Sequence, residues 1–503
     1  MSREQLPKDL FFEKLDRLGI AVTFEDVRLK TGYSEVMPDD VSLKTMFSRN
    51  VPLKIPIVSA AMDTVTEHKL AIGMALAGSL GIIHRNLSAE EQTKEVARVK
   101  FHLNALIAKP ICVYEYQTIT EVLKMREEKG YGFHSFPVLN RSGKLVGILT
   151  ETDFNFCMDY SQLAKDLMAT NLVTATADTK LNTAWELMVA HRRKNLPLVD
   201  REGNIAGLYV FSDVQRCIST NSPQHTNVDS NGQLRVGAAI GVNQDAEERL
   251  EKLVKLNIDV VVIDAAHADT KSVIDTLKRI KKQYPDLDVV AGNISQRESA
   301  ERLILAKADG IKIGQGGGST CITSVIAGTG RPQVTAVYDC AKVCDEYGVP
   351  CCSDGGTRFS GDITKAIGAG AWSVMLGEML AGVDEAPPEI FYHEGRPYKE
   401  FRGMGSLEAM RERKGPNRYD PTGKSQLIAE GVKGAVPYRG LLEEVLKQQV
   451  GGLRRGMGYV GAATIQELRK KGDFEMPTNA AQRESHPHDL LVTEEPPNYR
   501  GRR

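Results

Sequence analysis

The strongest constraint on the fold is a rhythm. Short apolar runs recur at residues 55–59, 80–84, 234–240, 259–264, 287–291, 310–313, 349–353 and 371–376. Between the later runs lie helical patterns, at 246–256, 270–283 and 296–306. Strands that are apolar on both faces, alternating with amphipathic helices, predict a parallel sheet covered on both sides. Eight such strands are the number of a closed (β/α)8 TIM barrel, an α/β fold whose sites lie at the C-terminal ends of the strands.

The rhythm breaks between the second and third runs. At 503 residues the chain exceeds one ordinary domain, and the sequence predicts a barrel built from 1–105 and 223–503 with an insert at 106–222. The insert repeats itself. Phe136-Pro-Val-Leu-Asn-Arg-Ser-Gly-Lys-Leu-Val-Gly-Ile-Leu-Thr-Glu-Thr-Asp153 is echoed by Leu196-Pro-Leu-Val-Asp-Arg-Glu-Gly-Asn-Ile-Ala-Gly-Leu-Tyr-Val-Phe-Ser-Asp213. Each copy reads as strand, glycine turn, strand and an Asp-started helix, preceded by a helical stretch. This resembles a tandem CBS pair, the first copy at about 106–160 and the second at about 163–222. The resemblance implies that adenine or guanine nucleotides, ATP or GTP, bind there, with Thr150, Asp153 and Asp213 toward the ribose hydroxyls. The same aspartates also suit helix N-caps. Residues 219–232 form a polar hinge back to the barrel. Residues 383–440 are rich in Gly, Pro and charge with no clear strand rhythm, and are expected to form an active-site flap. The tail from 479 is polar.

Charge excludes some partners. The 64 Lys and Arg balance 65 Asp and Glu, so neither nucleic acid nor an acidic surface is expected. No apolar run reaches membrane-spanning length, and the first residues lack a signal-peptide core. Eight cysteines in a chain this long suggest free thiols in a reducing cytoplasm. Cys340, Cys344, Cys351 and Cys352 lack the paired spacing of a zinc site.

Chemistry concentrates in Gly314-Gln-Gly-Gly-Gly-Ser-Thr-Cys321-Ile-Thr323, directly after the sixth run. Alternate glycines strip a loop of side chains and expose its backbone to a ligand or ion. The loop then presents one thiol, Cys321, with the Thr323 hydroxyl two residues on. A cysteine on such a loop is a candidate nucleophile; a lone cysteine also suits a small buried packing role. Asp264-Ala-Ala-His267 follows the fourth run, Gly292-Asn293 the fifth, Ser353-Asp-Gly-Gly356 the seventh and Leu376-Gly377 the eighth. All fall on the side of a barrel where sites are built.

Together with Val58-Ser-Ala-Ala-Met-Asp-Thr-Val-Thr-Glu67, Tyr398-Lys-Glu-Phe-Arg-Gly-Met-Gly-Ser406, Asn417-Arg-Tyr-Asp420 and Glu484-Ser-His-Pro-His-Asp489, these residues resemble the inosine monophosphate dehydrogenase family over essentially the whole chain. The resemblance implies oxidation of IMP to XMP with NAD, through a thioimidate on Cys321 that water then hydrolyses. It implies that Arg418 and Tyr419 activate that water, with Thr323 and Glu430 as a second proton path. Asp354 matches the ribose ligand. Ser319, Gly356 and Gly377 match the phosphate contacts, and Met62, Met404, Gly405 and Glu430 match the purine contacts. Asp264, His267, Asn293 and Gly314 match the cofactor side, with no dinucleotide-binding glycine fingerprint elsewhere. The carbonyls of Gly316, Gly318 and Cys321 match those that hold a monovalent cation, usually potassium. A homotetramer, and octamers through the CBS pairs, are also implied.

Two residues depart from the family pattern. Glu378 stands where a serine commonly meets the phosphate, and Phe401 where a tyrosine commonly does. Arg358, Lys399 and Arg402 are cations near in sequence that could compensate, but sequence alone does not place them. The resemblance extends to GMP reductase, which runs an NADPH-dependent deamination on the same barrel and typically lacks the Arg-Tyr pair. Arg418-Tyr419 therefore favours the dehydrogenase. A catalytically silent nucleotide sensor is the remaining alternative, disfavoured by Cys321, Thr323, Asp354 and Arg418.

Overall fold

The computed structural model describes residues 5–103, 105–129, 135–220, 225–412 and 427–499. The chain forms two units, Met1–Phe101 with Gln224–Arg503, and His102–Pro223. The first unit is a closed barrel of eight strands. They are β1 Ile57–Ser59, β2 Leu80–Ile83, β3 Gly237–Ile240, β4 Val260–Asp264, β5 Asp288–Ile294, β6 Gly310–Ile313, β7 Cys351–Asp354 and β8 Ser373–Leu376. Every neighbouring pair is parallel and sequential, and β8 closes back onto β1 through Met375 opposite Val58. The insert does not interrupt the ring, because β2 and β3 still pair directly, Gly237 opposite Ile82.

Helices follow the strands: α1 His68–Leu76, α2 Ala89–Lys100, α3 Gln244–Leu253, α4 Lys271–Gln283, α5 Arg297–Leu305, α6 Gln333–Glu346, α7 Ser360–Ala369 and, after a long excursion, α8 Leu442–Val460. Two of their starts carry a side-chain cap, α2 at Ser88 and α4 at Thr270. Ser88 caps α2 by accepting from the Glu91 amide at 3.2 Å, while the Glu91 carboxylate accepts from the Ser88 amide at 3.0 Å. With helices outside and side chains inside, all eight strands are buried almost throughout, which is why they read as apolar runs. Phe47, Val51 and Leu53 join Leu80, Ile82, Val260, Val262 and Val290 in the interior. Their segment is pinned to the first residue of β5, where the Asn50 amide donates to Asp288 at 2.8 Å. The N-terminal end of the barrel is thus plugged.

At that same end lies a buried charge cluster. Lys100, the last residue of α2, is fully buried and donates to Asp229 at 2.9 Å and Asp259 at 2.7 Å. Arg235 reaches Asp259 from the other side at 3.1 Å. The lysine therefore joins the point where the chain leaves the barrel to the point where it returns.

Residues 383–440 differ from expectation. They contain a three-stranded antiparallel sheet of β9 Ile390–His393, β10 Arg396–Arg402 and β11 Lys433–Pro437. Glu394 and Gly395 join β9 to β10 with φ of 50° and 72°, as a two-residue primed turn requires. All four residues of β9 are exposed, so no apolar alternation marks the strand in the sequence. The polar tail is partly ordered too: Thr478 caps a helix at Asn479–Glu484, and Tyr499 stacks on Phe359 at 5.9 Å between ring centroids.

The second unit contains two similar sheets. Val113–Tyr114, Phe136–Leu139 and Leu145–Leu149 form one; Ala175–Thr176, Asn195–Val199 and Ile205–Val210 form the other in the same order and sense. Leu106–Ile107, grouped by sequence position with the first copy, pairs instead with Ile205–Val210 of the second. Each copy has its own core, one around Phe136 and Val138 and one around Leu196 and Leu198. Among the described residues no helix is long and apolar enough to cross a membrane.

A helix at Pro7–Arg17 docks on the barrel through Lys8, whose ammonium donates to the Gly368 and Arg469 carbonyls near the ends of two helices. Burial, then the charge of Arg469, lowers the Lys8 pKa to about 8. Between pH 8 and the ordinary lysine value the unfolded chain binds a proton the folded one does not, so stability rises with pH in that window. Wild type should therefore gain stability relative to Lys8→Met as pH is raised from 7.5 to 10. Denaturant unfolding at both pH values checks the sign.

Candidate functional site

The open, C-terminal end of the barrel gathers polar side chains from four strands. Asp264 ends β4 and Asp354 ends β7; both point toward Lys312, which lies on β6 and is 2% exposed. The Lys312 ammonium donates to Asp354 Oδ2 at 2.7 Å, to Asp264 Oδ1 at 3.2 Å, and to Asn293 Oδ1. Asn293 in turn donates to Asp354 Oδ2 at 2.9 Å and to the Gly314 carbonyl at 2.6 Å. Asn293 reaches this cluster because the β5–β6 register shifts there, Gly292 lying opposite Lys312 and Ile294 opposite Ile313. The extra residue of a bulge re-aims a side chain in this way. Gly292 makes room for the lysine: a methyl there would lie 2.5 Å from Lys312 Cβ.

Lys312 is absent from the sequence expectations because its strand reads as an apolar run. The signal was present. A lysine flanked by Ile311 and Ile313 in a strand buried on both faces has to find a carboxylate. Gln333 is a second such residue, 1% exposed, donating to the Ile313 carbonyl at 2.9 Å and to Ser353 Oγ at 3.0 Å beneath the glycine loop.

Beyond β6 the chain turns at Gly314, whose φ is 151°. A methyl there would overlap the Asp354 carbonyl oxygen, so no other residue fits. The loop ends at Cys321, half-buried, whose amide donates to the Gly318 carbonyl at 3.0 Å and whose thiol donates to Thr323 Oγ1 at 3.2 Å. Cys321 lies opposite Gly431 in an antiparallel bridge. Ile322 N donates to the Glu430 carbonyl at 2.9 Å, Val432 N to the Thr320 carbonyl at 2.9 Å, and Glu430 N to the Gly405 carbonyl at 3.0 Å. A backbone ladder thus stitches the thiol loop to the segments carrying Gly405 and Glu430. Elsewhere burial raises the Cys340 thiol well above its ordinary pKa and pushes that of Cys352 up to about 12, so these stay protonated and inert.

The remaining expected residues fall as follows. Met62, Gly377 and Phe401 meet: a methyl on Gly377 would lie 3.3 Å from Met62 Sδ and 4.0 Å from the Phe401 ring. A methyl on Gly356 would lie 3.5 Å from the Gly317 carbonyl, which sets the seventh-strand loop beside the glycine loop. Gly316 and Gly318 lie in that loop, Ser319 is exposed on it and Met404 is half-buried. His267 is exposed and contacts Gln315 at 3.1 Å, outside the Lys312 cluster. Arg418 and Tyr419 lie outside the described residues.

In the second unit the Asp153 carboxylate accepts from the Thr150 amide at 2.7 Å and hydroxyl at 2.8 Å, closing a capping box. Asp213 pairs with Arg216 at 3.0 Å.

The cations that sequence alone left unplaced near Glu378 and Phe401 are engaged elsewhere. Arg358 pairs with Glu25. Lys399 is buried and donates to the Val383 and Ala386 carbonyls at 2.7 and 2.8 Å. Arg402 binds Asp63 at 2.8 Å and Glu412 at 2.6 Å.

Removing one partner from a buried ion cluster leaves uncompensated charge and costs about 3–5 kcal/mol. Lys312→Met should lose that much stability in denaturant unfolding. Adding Asp354→Asn to it should recover part of the loss, because one stranded carboxylate is then removed.

The comparisons with known proteins cover nearly the whole chain. The family described as IMP dehydrogenase / GMP reductase domain matches residues 21–488. Inosine-5'-monophosphate dehydrogenase of Halalkalibacterium halodurans is 46% identical over 95% of this chain and 98% of its own length. That of Aquifex aeolicus is 44% identical over 95% and 97%. Among solved structures, a cysteine-to-alanine variant of GMP reductase from Trypanosoma brucei, in complex with guanosine 5'-monophosphate, superposes with a TM-score of 0.82 and 39% identity, covering 95% of this chain and all of that one.

Proposed function

Because the chain belongs to the IMP dehydrogenase / GMP reductase family, we propose that it oxidises IMP to XMP with NAD, in the synthesis of guanine nucleotides. The observation that carries this reading is the ladder that holds Cys321 beside Thr323 and the backbone of Glu430 and Gly405.

In this reading the Cys321 thiolate attacks C2 of the purine, forming a C–S bond, and C2 loses its hydrogen as hydride. NAD, when bound, accepts that hydride. Asp354, fixed by Lys312 and Asn293, takes the ribose hydroxyls. Met62 packs on the base and the backbone at Met404 and Gly405 contacts its edge. Ser319, Gly356 and Gly377 receive the phosphate. Asp264 and the Gly314 carbonyl, which keep lone pairs free, offer acceptors suited to a carboxamide, with Asn293 fixing the Gly314 carbonyl and His267 at the rim. Water then attacks C2 of the thioimidate, the C–S bond breaks and the thiol is restored. Arg418, partnered by Tyr419, takes the proton of that water, and Thr323 with Glu430 offers a second path.

The carbonyls of Gly316, Gly318 and Cys321 would hold a monovalent cation such as potassium, which fixes the loop by charge–dipole attraction. The donor set fits: neutral oxygens on a loop without side chains suit a hard cation. The Cys321–Gly431 pair is flanked by its ladder bonds, so the Cys321 carbonyl takes no part in them. The second unit is read as a CBS pair whose Thr150, Asp153 and Asp213 respond to a purine nucleotide, within a cytoplasmic homotetramer.

GMP reductase is the second reading, favoured by the Trypanosoma brucei structure. Arg418-Tyr419 and the identity to the dehydrogenases favour the first.

Incubation with IMP, NAD and potassium should yield NADH and XMP in equal amounts. Cys321→Ser should abolish NADH formation while calorimetry still detects IMP binding, because an alcohol is far less ionised than a thiol. Arg418→Ala should give a burst of NADH approaching stoichiometry with active sites, then turnover slowed about 10²–10⁴-fold. The adduct on Cys321 should appear in intact-protein mass. An unchanged steady state without adduct would remove Arg418 from the mechanism and make NADPH-dependent conversion of GMP the next assay.

A further inference from the structure

We infer that Arg439 determines how this site accepts a phosphate, by neutralising Glu378 at the phosphate end of the nucleotide pocket. The inference rests on the reading above, in which Ser319, Gly356 and Gly377 take the phosphate.

Two features at that end disfavour a dianion. Glu378 follows Gly377 directly and begins the short helix Glu378–Ala381. Phe401, whose ring lies 4.0 Å from a methyl placed on Gly377, brings no hydroxyl. A bare carboxylate beside a phosphate is repelled in proportion to the inverse of their separation, and weak screening at a partly buried site keeps that repulsion large. Arg358 and Arg402 are paired with other carboxylates, Glu25 and Asp63 with Glu412, and the Lys399 ammonium is held on the Val383 and Ala386 carbonyls, with no bond to Glu378 among the described residues.

Arg439 does bond to Glu378. It follows β11, far from Glu378 in sequence, yet it is fastened to the turn after β8 at three points. Its amide donates to the Gly382 carbonyl at 2.8 Å, its Nη1 to the Met379 carbonyl at 2.9 Å, and its Nη2 to Glu378 Oε1 at 2.5 Å. Both side chains are largely withdrawn from solvent, at 15% and 26% exposure, so the pair is not a loose surface contact. Its Nε is buried and has no partner among the described residues, which leaves one donor over. The guanidinium thus turns a repelling carboxylate into a neutral, oriented pair. Glu378 and Arg439 act as one replacement for the small hydroxyl that commonly stands there.

The test separates phosphate recognition from chemistry. With IMP as substrate, Arg439→Met should raise KM roughly tenfold or more, as unpairing a partly buried charge does, with kcat within about threefold. Binding of inosine, which lacks the phosphate, should be unchanged. Glu378→Ser added to Arg439→Met should return KM to within about threefold of wild type, since the repelling charge is then gone. Glu378→Gln keeps the fold should Arg439→Met fail to fold, and leaves Arg439 free for the anion. Inorganic phosphate should then compete with IMP severalfold more tightly than in wild type. An unchanged KM in Arg439→Met, equal losses for IMP and inosine, a double variant no better than the single, or unchanged phosphate inhibition in Glu378→Gln would each overturn the inference. If the wild type converts IMP while these fail, the inference alone falls. If the wild type converts GMP instead, the dehydrogenase reading falls and the same comparison runs with GMP and guanosine.

Discussion

The mouth of this barrel depends on one ammonium. Lys312 sits where water is excluded, and it is tolerable there only because Asp264, Asn293 and Asp354 converge on it from three other strands. A buried lysine without such partners would shed its proton. The dependence runs both ways. Two carboxylates converging at strand ends would repel each other without the lysine between them. Asp354 and Asn293 thereby hold fixed orientations before any ligand arrives, which is the condition for the proposed ribose binding to need no reordering of side chains.

A second constraint is made of backbone. The thiol loop carries almost no side chains of its own to pack, so its position comes from hydrogen bonds to residues 430–432, which in turn bond to Gly405. A methyl on Gly403 would lie 3.0 Å from Thr320 Oγ1, and one on Gly431 would lie 3.2 Å from the Thr320 carbonyl. Three stretches distant in sequence approach so closely that glycine is needed at the contacts. The proposed nucleophile, the proposed purine contacts and one proposed proton carrier are therefore joined through one backbone ladder.

The eight strands were legible because each is buried on both faces and so had to be apolar. Cys321 and the glycines were legible because a loop stripped of side chains announces itself. What the sequence concealed follows from other physics. Lys312 was hidden inside an apolar run, and its partners lie well away along the chain, a relation no local pattern encodes. Asn293 was named as a candidate, but that its strand runs on to Ile294 through a register shift is not marked in composition. The strand β9 escaped notice because it is exposed on both faces and carries no alternation. Leu106–Ile107 pairs with the copy farther along the chain, against the sequential order that repeats suggest. The pairing of Glu378 with Arg439 was invisible for the same reason as the Lys312 cluster: ion pairs are facts of space.

The attachment of the insert bears on the order of folding. β2 and β3 are ring neighbours, yet the whole segment His102–Pro223 lies between them. For a disordered segment, the entropy lost on joining its ends grows with the logarithm of its length. Lys100 and Asp229, just outside the two ends, lie in direct contact. In the folded chain that contact fixes exit and entry together, so an insert already folded on its own cores would make the long loop behave as a short one. Strands β2 and β3 would then meet with the low effective contact order of an ordinary consecutive pair, the condition for rapid closure of the ring.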